Sequence, residues 1–165
     1  MLYKLHLIES LLMLDLHHNL TLFMHLGWLI LAVLVMVVSV TDIRFRLIPN
    51  KVCILIFFVS VVVGFKNISM VWGIKSLVLS MFFVTIYIFS VWSAGDAKLA
   101  MAMIPAMSEH YILDYLLMIG LFGGVLAGIY LVIGLFKGME LVKTRGLPFG
   151  VSISLSGLLI SLVSL

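Results

Sequence analysis

Charge is scarce in these 165 residues: 10 Lys and Arg and 7 Asp and Glu stand against 64% hydrophobic residues, and the mean hydropathy is +1.33. A soluble domain carries about a quarter charged residues, so this composition excludes one. Cysteine is scarcer still. A single Cys53 rules out an internal disulfide framework and a cysteine-based zinc module. The net charge of +3 and pI near 9.1 come from basic residues scattered singly between apolar runs. Without a basic patch or stripe there is no surface for nucleic acid, and the cations read as marks of membrane topology.

What the chain does have is long apolar runs. A helix rises about 1.5 Å per residue and needs about 20 apolar residues to cross a ~30 Å hydrocarbon core. The runs predict an all-α, polytopic membrane bundle of about six transmembrane helices. Span one covers 22–40 and span two 52–65, lengthened if Pro49 enters its first turn. Span three covers 71–92, a short span four 97–107 contains Pro105, and spans five and six cover 115–136 and 147–165. Residues 1–20 are interrupted by Lys4, Glu9, Asp15, His17 and His18. They lack the unbroken apolar stretch and small-residue cleavage site of a signal peptide, so they form an interfacial or dispensable segment ahead of a 21–165 domain.

Six spans place both termini on one side. Arg44, Arg46, Lys51, Lys98, Lys137, Lys143 and Arg145 fall on one face, and Lys4, Lys66 and Lys75 on the other, Lys75 near enough to a span end to snorkel. The positive-inside rule makes the first face cytoplasmic and both termini external. In span five Gly120, Gly124 and Gly128 share one helix face, which predicts close packing against a neighbouring helix.

Two acids stand where lipid disfavours them. Asp42 abuts the end of span one, and Asp96 lies between Trp92 and the apolar AMAMIPAM. A carboxylate at membrane depth costs about 2.5–3.5 kcal/mol on insertion scales, so it lines a polar cavity, finds a partner or does chemistry. Spans one and three end on the same side, which puts both acids at one level. Two carboxylates in contact share one proton. The ionised member can take a proton from water while the protonated one donates to a substrate carbonyl, chemistry that needs neither metal nor cofactor.

Each residue alone has a plainer reading. Asp42 sits four residues before Arg46, at helical ion-pair spacing; Asp96 suits a helix N-terminus; Gly95 suits a turn; Lys98 suits a surface anchor. A non-enzymatic membrane subunit, using both acids as a proton relay or in ion pairs with Arg46 and Lys98, therefore stands beside hydrolysis. His17, His18 and His25 lack a carboxylate or cysteine at ligand spacing, so no metal site is expected. Glu109, His110 and Asp114 read as a solvated outer loop, and Cys53 as a small hydrophobe. The serines near the C-terminus have no histidine base on their side. Pro148 and Gly150 break the start of span six, and irregular backbone at that depth belongs beside a cavity.

Three segments carry a resemblance. Asp42-Ile43-Arg44-Phe45-Arg46-Leu47-Ile48-Pro49-Asn50 resembles the D-x-R-x-x-x-I-P-N signature of type IV prepilin peptidases, and Gly95-Asp96-Ala97-Lys98-Leu99 their G-D-x-K-L element. Leu147-Pro148-Phe149-Gly150-Val151-Ser152-Ile153 is similar to the P-[YF]-G-[VP]-x-[IL] opening of their last span. The resemblance implies an intramembrane aspartic endopeptidase of the GxGD type, multi-pass in the bacterial inner membrane. Such an enzyme cuts the basic leader from a prepilin or pseudopilin just after a glycine at the cytoplasmic face. It further implies Asp42 and Asp96 as the catalytic pair, with Gly95, Lys98, Arg44, Pro49, Asn50, Pro148 and Gly150 binding substrate or supporting the pair. Glu140 or the ionised aspartate would attract the leader. The chain resembles the short branch that processes Flp-type, tight-adherence pilins. The long branch carries paired cysteines in a cytoplasmic domain and an N-methyltransferase activity, which one cysteine does not support.

Two features depart from the pattern. Ser93-Ala94-Gly95-Asp96 stands where the family has G-x-G-D, and residues 1–20 have no family counterpart. Presenilin-like and lipoprotein signal peptidase-like proteases remain a second rival, against which the Ile48-Pro49-Asn50 and Pro148-Phe149-Gly150 elements speak.

Overall fold

The computed structural model describes residues 2–137 and 146–165, with backbone alone for 2–11, 17 and 137. Among these residues every regular element is helical: α1 Leu2–Phe45, α2 Asn50–Val63, α3 Met70–Ile88, α4 Ala94–Met103, α5 Ile112–Lys137 and α6 Phe149–Val163. Short 3-10 turns occupy Phe65–Asn67 and Ile104–Ala106. The all-α bundle is the architecture that the apolar runs predict.

The first helix overruns its expected end. Charge does not break a helix, and Thr41-Asp42-Ile43-Arg44-Phe45 contains neither glycine nor proline, so α1 continues through the predicted loop. It stops where Arg46 turns to a φ of 53°, and the approach to Pro49 disfavours further helix. Asp42 is thereby carried on the last turn of α1, its carbonyl accepting from Arg46 N at 3.0 Å. Residues 2–20 continue the same helix without a break. At 1.5 Å per residue the 44-residue helix is about 66 Å long, roughly twice a hydrocarbon core.

Proline and serine set the other starts. Pro49 takes the N-cap of α2 instead of its first turn. Ser69 caps α3, its hydroxyl accepting from Trp72 N at 3.0 Å. That helix ends at Ile88, short of the expected Trp92, because the chain turns back at Ser90, with φ 57°. Trp92 then stacks on Phe83 with ring centroids 5.5 Å apart and tilts against Phe149 at 5.4 Å.

Long and short helices alternate. Stretches of α1, α3 and α5 are long and apolar enough to cross a bilayer: Leu12–Phe45, Met70–Ile88 and Ile112–Phe136. The apolar α2 and α6 have 14 and 15 residues, and α4 has 10. The short α4 lies centrally against α2, α3 and α6, and α6 also packs on α1 and α5. Leu31, Ile56, Phe83, Leu99, Met103 and Tyr115 fill the middle. Outward-facing Leu29, Ile74, Val78 and Leu117 are more than half exposed, as suits a surface solvated by acyl chains.

The glycine stripe of α5 packs otherwise than expected. The buried side of α5 is the row Ile112, Tyr115, Ile119 and Gly123. Gly120, Gly124 and Gly128 lie off that row and are exposed, and a Cβ built on any of them meets no described atom within 4 Å. Close approach instead falls to Gly123, where a Cβ would lie 2.7 Å from the Phe149 ring. The repeat every four residues was real, but its phase is set by the neighbouring row.

The bundle has two unlike ends. At one, Lys66 donates to the Leu165 carbonyl and Trp72 Nε1 to the Met107 carbonyl at 2.9 Å. There Glu109 is not simply solvated: it accepts from Ser69 Oγ at 2.6 Å, and its carbonyl accepts from Lys75 Nζ at 3.0 Å. His110 is exposed beside it, 3.8 Å from the Glu109 carboxylate. At the opposite end stand Asp42, Asn50, Asp96 and Gly150.

Candidate active site

Asp42, on the last turn of α1, is 6% exposed, and Asp96, the third residue of α4, is 9% exposed. Each is held by the start of a helix, where backbone N–H groups have no partner within their own helix. Gly150 N, in the first turn of α6, donates to Asp42 Oδ2 at 2.9 Å. Across α4 the donor is its own N-cap: Ser93 Oγ donates to Asp96 Oδ2 at 2.8 Å and accepts from Asp96 N at 3.2 Å. Serine in place of the motif's first glycine therefore gives the acid a hydroxyl partner that glycine lacks.

The two acids are linked through Ile48, which lies against Gly95 beside Asp96 and against Gly150, whose N–H holds Asp42. Arg46 forms no ion pair with Asp42. Its guanidinium donates instead to the Gly146 carbonyl, and the only ion pair within 4.0 Å among the described residues is that of Glu109 and His110. Arg46, at a φ of 53°, stands just past the end of α1.

Sequence reasoning passed over the residue that joins the three motifs. A Cβ on Gly95 would sit 3.1 Å from Ile48 Cβ, and one on Gly150 would sit 3.0 Å from Ile48 Cδ1. Ile48 is thus wedged between the two glycines beside the two acids. Its place in the Ile48-Pro49-Asn50 element was the available signal. At Gly150 the constraint is doubled, since the same Cβ would meet Asp42 Oδ2 at 2.8 Å.

The remaining candidates surround this centre. Lys98 Nζ donates to Asn50 Oδ1 at 3.2 Å, tying α4 to the start of α2. Pro148 is buried at the N-cap of α6, Pro49 is half-buried, and Arg44 is exposed. Cys53 is a buried free thiol on α2. His25 bonds through Nδ1 with the Thr21 carbonyl of its own helix at 2.6 Å. Glu140, expected to attract the leader, lies outside the described residues, as do Lys143 and Arg145.

A membrane-type helical bundle that keeps two carboxylates buried at one end, each on backbone or hydroxyl donors and neither in an ion pair among the described residues, has the makings of a membrane-embedded acid–base centre. Residues 29–133 match the type IV leader peptidase family, and the chain belongs to that family. The match takes in the Asp42–Asn50 and Gly95–Leu99 segments and ends before Pro148. Membership makes this chain a membrane-embedded peptidase acting on prepilin-type substrates. No curated protein and no solved structure matches it.

Proposed function

We propose that this protein is an intramembrane aspartic endopeptidase in which Asp42 and Asp96 together cleave a prepilin leader after a glycine. The observation that carries the reading is two buried acids, on α1 and α4, at one end of the bundle and joined through Ile48, with no ion pair to either among the described residues. One carboxylate takes a proton from a water, whose oxygen attacks the scissile carbonyl carbon. The other donates its proton to the carbonyl oxygen, and collapse of the tetrahedral intermediate returns a proton to the leaving amine. Gly150 N–H and Ser93 Oγ orient the two carboxylates throughout.

Depth fits a substrate whose cut lies between a basic leader and an apolar helix. The helices that begin at the site are the short ones: α2, with 14 residues, spans about 21 Å, against a hydrocarbon core of ~30 Å. Arg44, Arg46, Lys51 and Lys98 belong to the site's end of the bundle, and Lys66 and Lys75 to the other, which supports a cytoplasmic site in the bacterial inner membrane. The peptidase occupies residues 21–165, its substrates are pilins or pseudopilins of the Flp type, and it lacks methyltransferase activity.

Coexpression with a Flp-type prepilin tests the reading. The wild-type chain shortens the substrate, whereas Asp42→Ala and Asp96→Ala leave it whole. A proton relay would give altered conductance in vesicles and no cleavage by any variant. The ion-paired form of that rival is weakened by Arg46 and Lys98, neither of which has a carboxylate oxygen within 4.0 Å among the described residues.

A further inference from the structure

α2 and α3 both pack on α4 while scarcely touching each other. The gap between them is an open cleft of about 620 Å³, floored by Met101 and Ala102 of α4 and walled by Phe57 and Phe58 of α2 and Ser80 of α3. Its mouth is formed by Asn50 and Lys98, joined at 3.2 Å. Lys98 lies two residues after Asp96 on α4, so the mouth is at the acids' end of the bundle, although neither acid lines the cleft. From Asn50 to Phe58 the cleft descends about 12 Å along α2, away from the carboxylates.

A site that cuts a peptide must receive an unwound stretch of it, and in an apolar setting the freed backbone carbonyls need donors. An ammonium has three donors. Asn50 takes one from Lys98, and no carboxylate lies within 4.0 Å of Lys98 among the described residues. The same ammonium repels a basic leader, and below it the walls offer almost nothing but apolar atoms. A length of about 12 Å holds three or four extended residues at ~3.3 Å each.

We propose that this cleft receives the apolar residues that follow the scissile bond, with Lys98 donating to the carbonyl oxygens of the first of them. The inference rests on the reading of the protein as a prepilin peptidase and adds the direction in which substrate lies: leader outside the Lys98 mouth, apolar segment within. Lys98 is then a positioning residue, and the cleft, more than the acids, decides which apolar sequences are cut.

Two measurements test it on the full-length protein. Ser80→Trp fills the cleft from α3, far along the chain from both acids, and raises KM for prepilin at least tenfold with kcat largely kept. Leu77→Trp, on the exposed side of the same helix, leaves both constants unchanged. For contact, Phe57→Cys is placed in a chain that also carries Cys53→Ser and Asp42→Asn, and oxidised with prepilins bearing one cysteine at successive positions. Disulfides form with the first several residues after the scissile glycine and not with the leader. Crosslinking from the leader, or none from the apolar segment, overturns the proposal. So does an unchanged KM for Ser80→Trp accompanied by loss of a phospholipid that copurifies with the wild type, which would make the cleft a lipid site. Failure of the wild-type chain to cut any prepilin instead defeats the peptidase reading itself.

Discussion

Adding one methyl group at Gly150 should unseat Asp42. The new Cβ would stand 2.8 Å from Oδ2 and 3.1 Å from Cγ of the aspartate, where carbon and oxygen ordinarily keep about 3.3 Å or more. Relief by moving the other neighbour is blocked, because Ile48 Cδ1 lies at 3.0 Å and Ile48 is itself pressed against Gly95. The carboxylate must therefore withdraw by about 0.5 Å or more, stretching its 2.9 Å bond to Gly150 N. A hydrogen bond to a charged group is worth about 1.5–3 kcal/mol, and each 1.36 kcal/mol is tenfold in rate. Gly150→Ala should thus lower kcat/KM for prepilin cleavage about 10- to 100-fold, read from the shortened product in membranes or detergent. Gly120→Ala, where a Cβ meets no described atom within 4 Å, should cut at the wild-type rate. Wild-type cleavage by Gly150→Ala would show that Asp42 does not work from the position described, and the reasoning from close approach would fail with it.

Ser93→Ala removes the cap of α4 and should cost about 1 kcal/mol, visible as a lower thermal midpoint, together with a several-fold loss of cleavage. Ser93→Gly restores the family's residue and costs less in stability, but it also loses the 2.8 Å bond to Asp96; activity equal to wild type would show that this bond does not orient the acid. Ile48→Ala empties the space between Gly95 and Gly150 and should destabilise by roughly 1–2 kcal/mol, the lower range because Ile48 is only half-buried. Its cleavage rate should fall by more than its thermal midpoint explains, and a parallel decline of the two would make Ile48 a packing residue only. Deleting residues 2–19 should leave cleavage unchanged, since the described packing of α1 begins at Met24; loss of activity in a stably inserted protein would assign that segment a role.

Hydropathy was enough to read the helices, because apolar length is a property of local sequence. Their ends were less legible. Asp42 and Arg44 looked like loop residues through their charge, yet charge leaves the helical backbone intact, and α1 ran on to the turn at Arg46. Of the candidate site, the two acids and Gly150 were visible through motif and placement. Ile48 was marked only by its place before Pro49-Asn50, since an isoleucine in an apolar chain shows no role until its neighbours are known. Gly120, Gly124 and Gly128 show the same limit from the other side. A repeat identifies a face but not what the face meets, and the row Tyr115, Ile119 and Gly123 occupies the side that packs.

The bond between Asp42 and Gly150 joins positions 108 residues apart. During synthesis the first acid enters the bilayer long before its clamp exists, and α4 delivers the second acid while α6 is still to be made. On the proposed reading an unfinished chain lacks that clamp, and Asp42 is not set for cleavage until α6 has been made. Under that reading, nascent helices nearby are spared until α6 closes on α1.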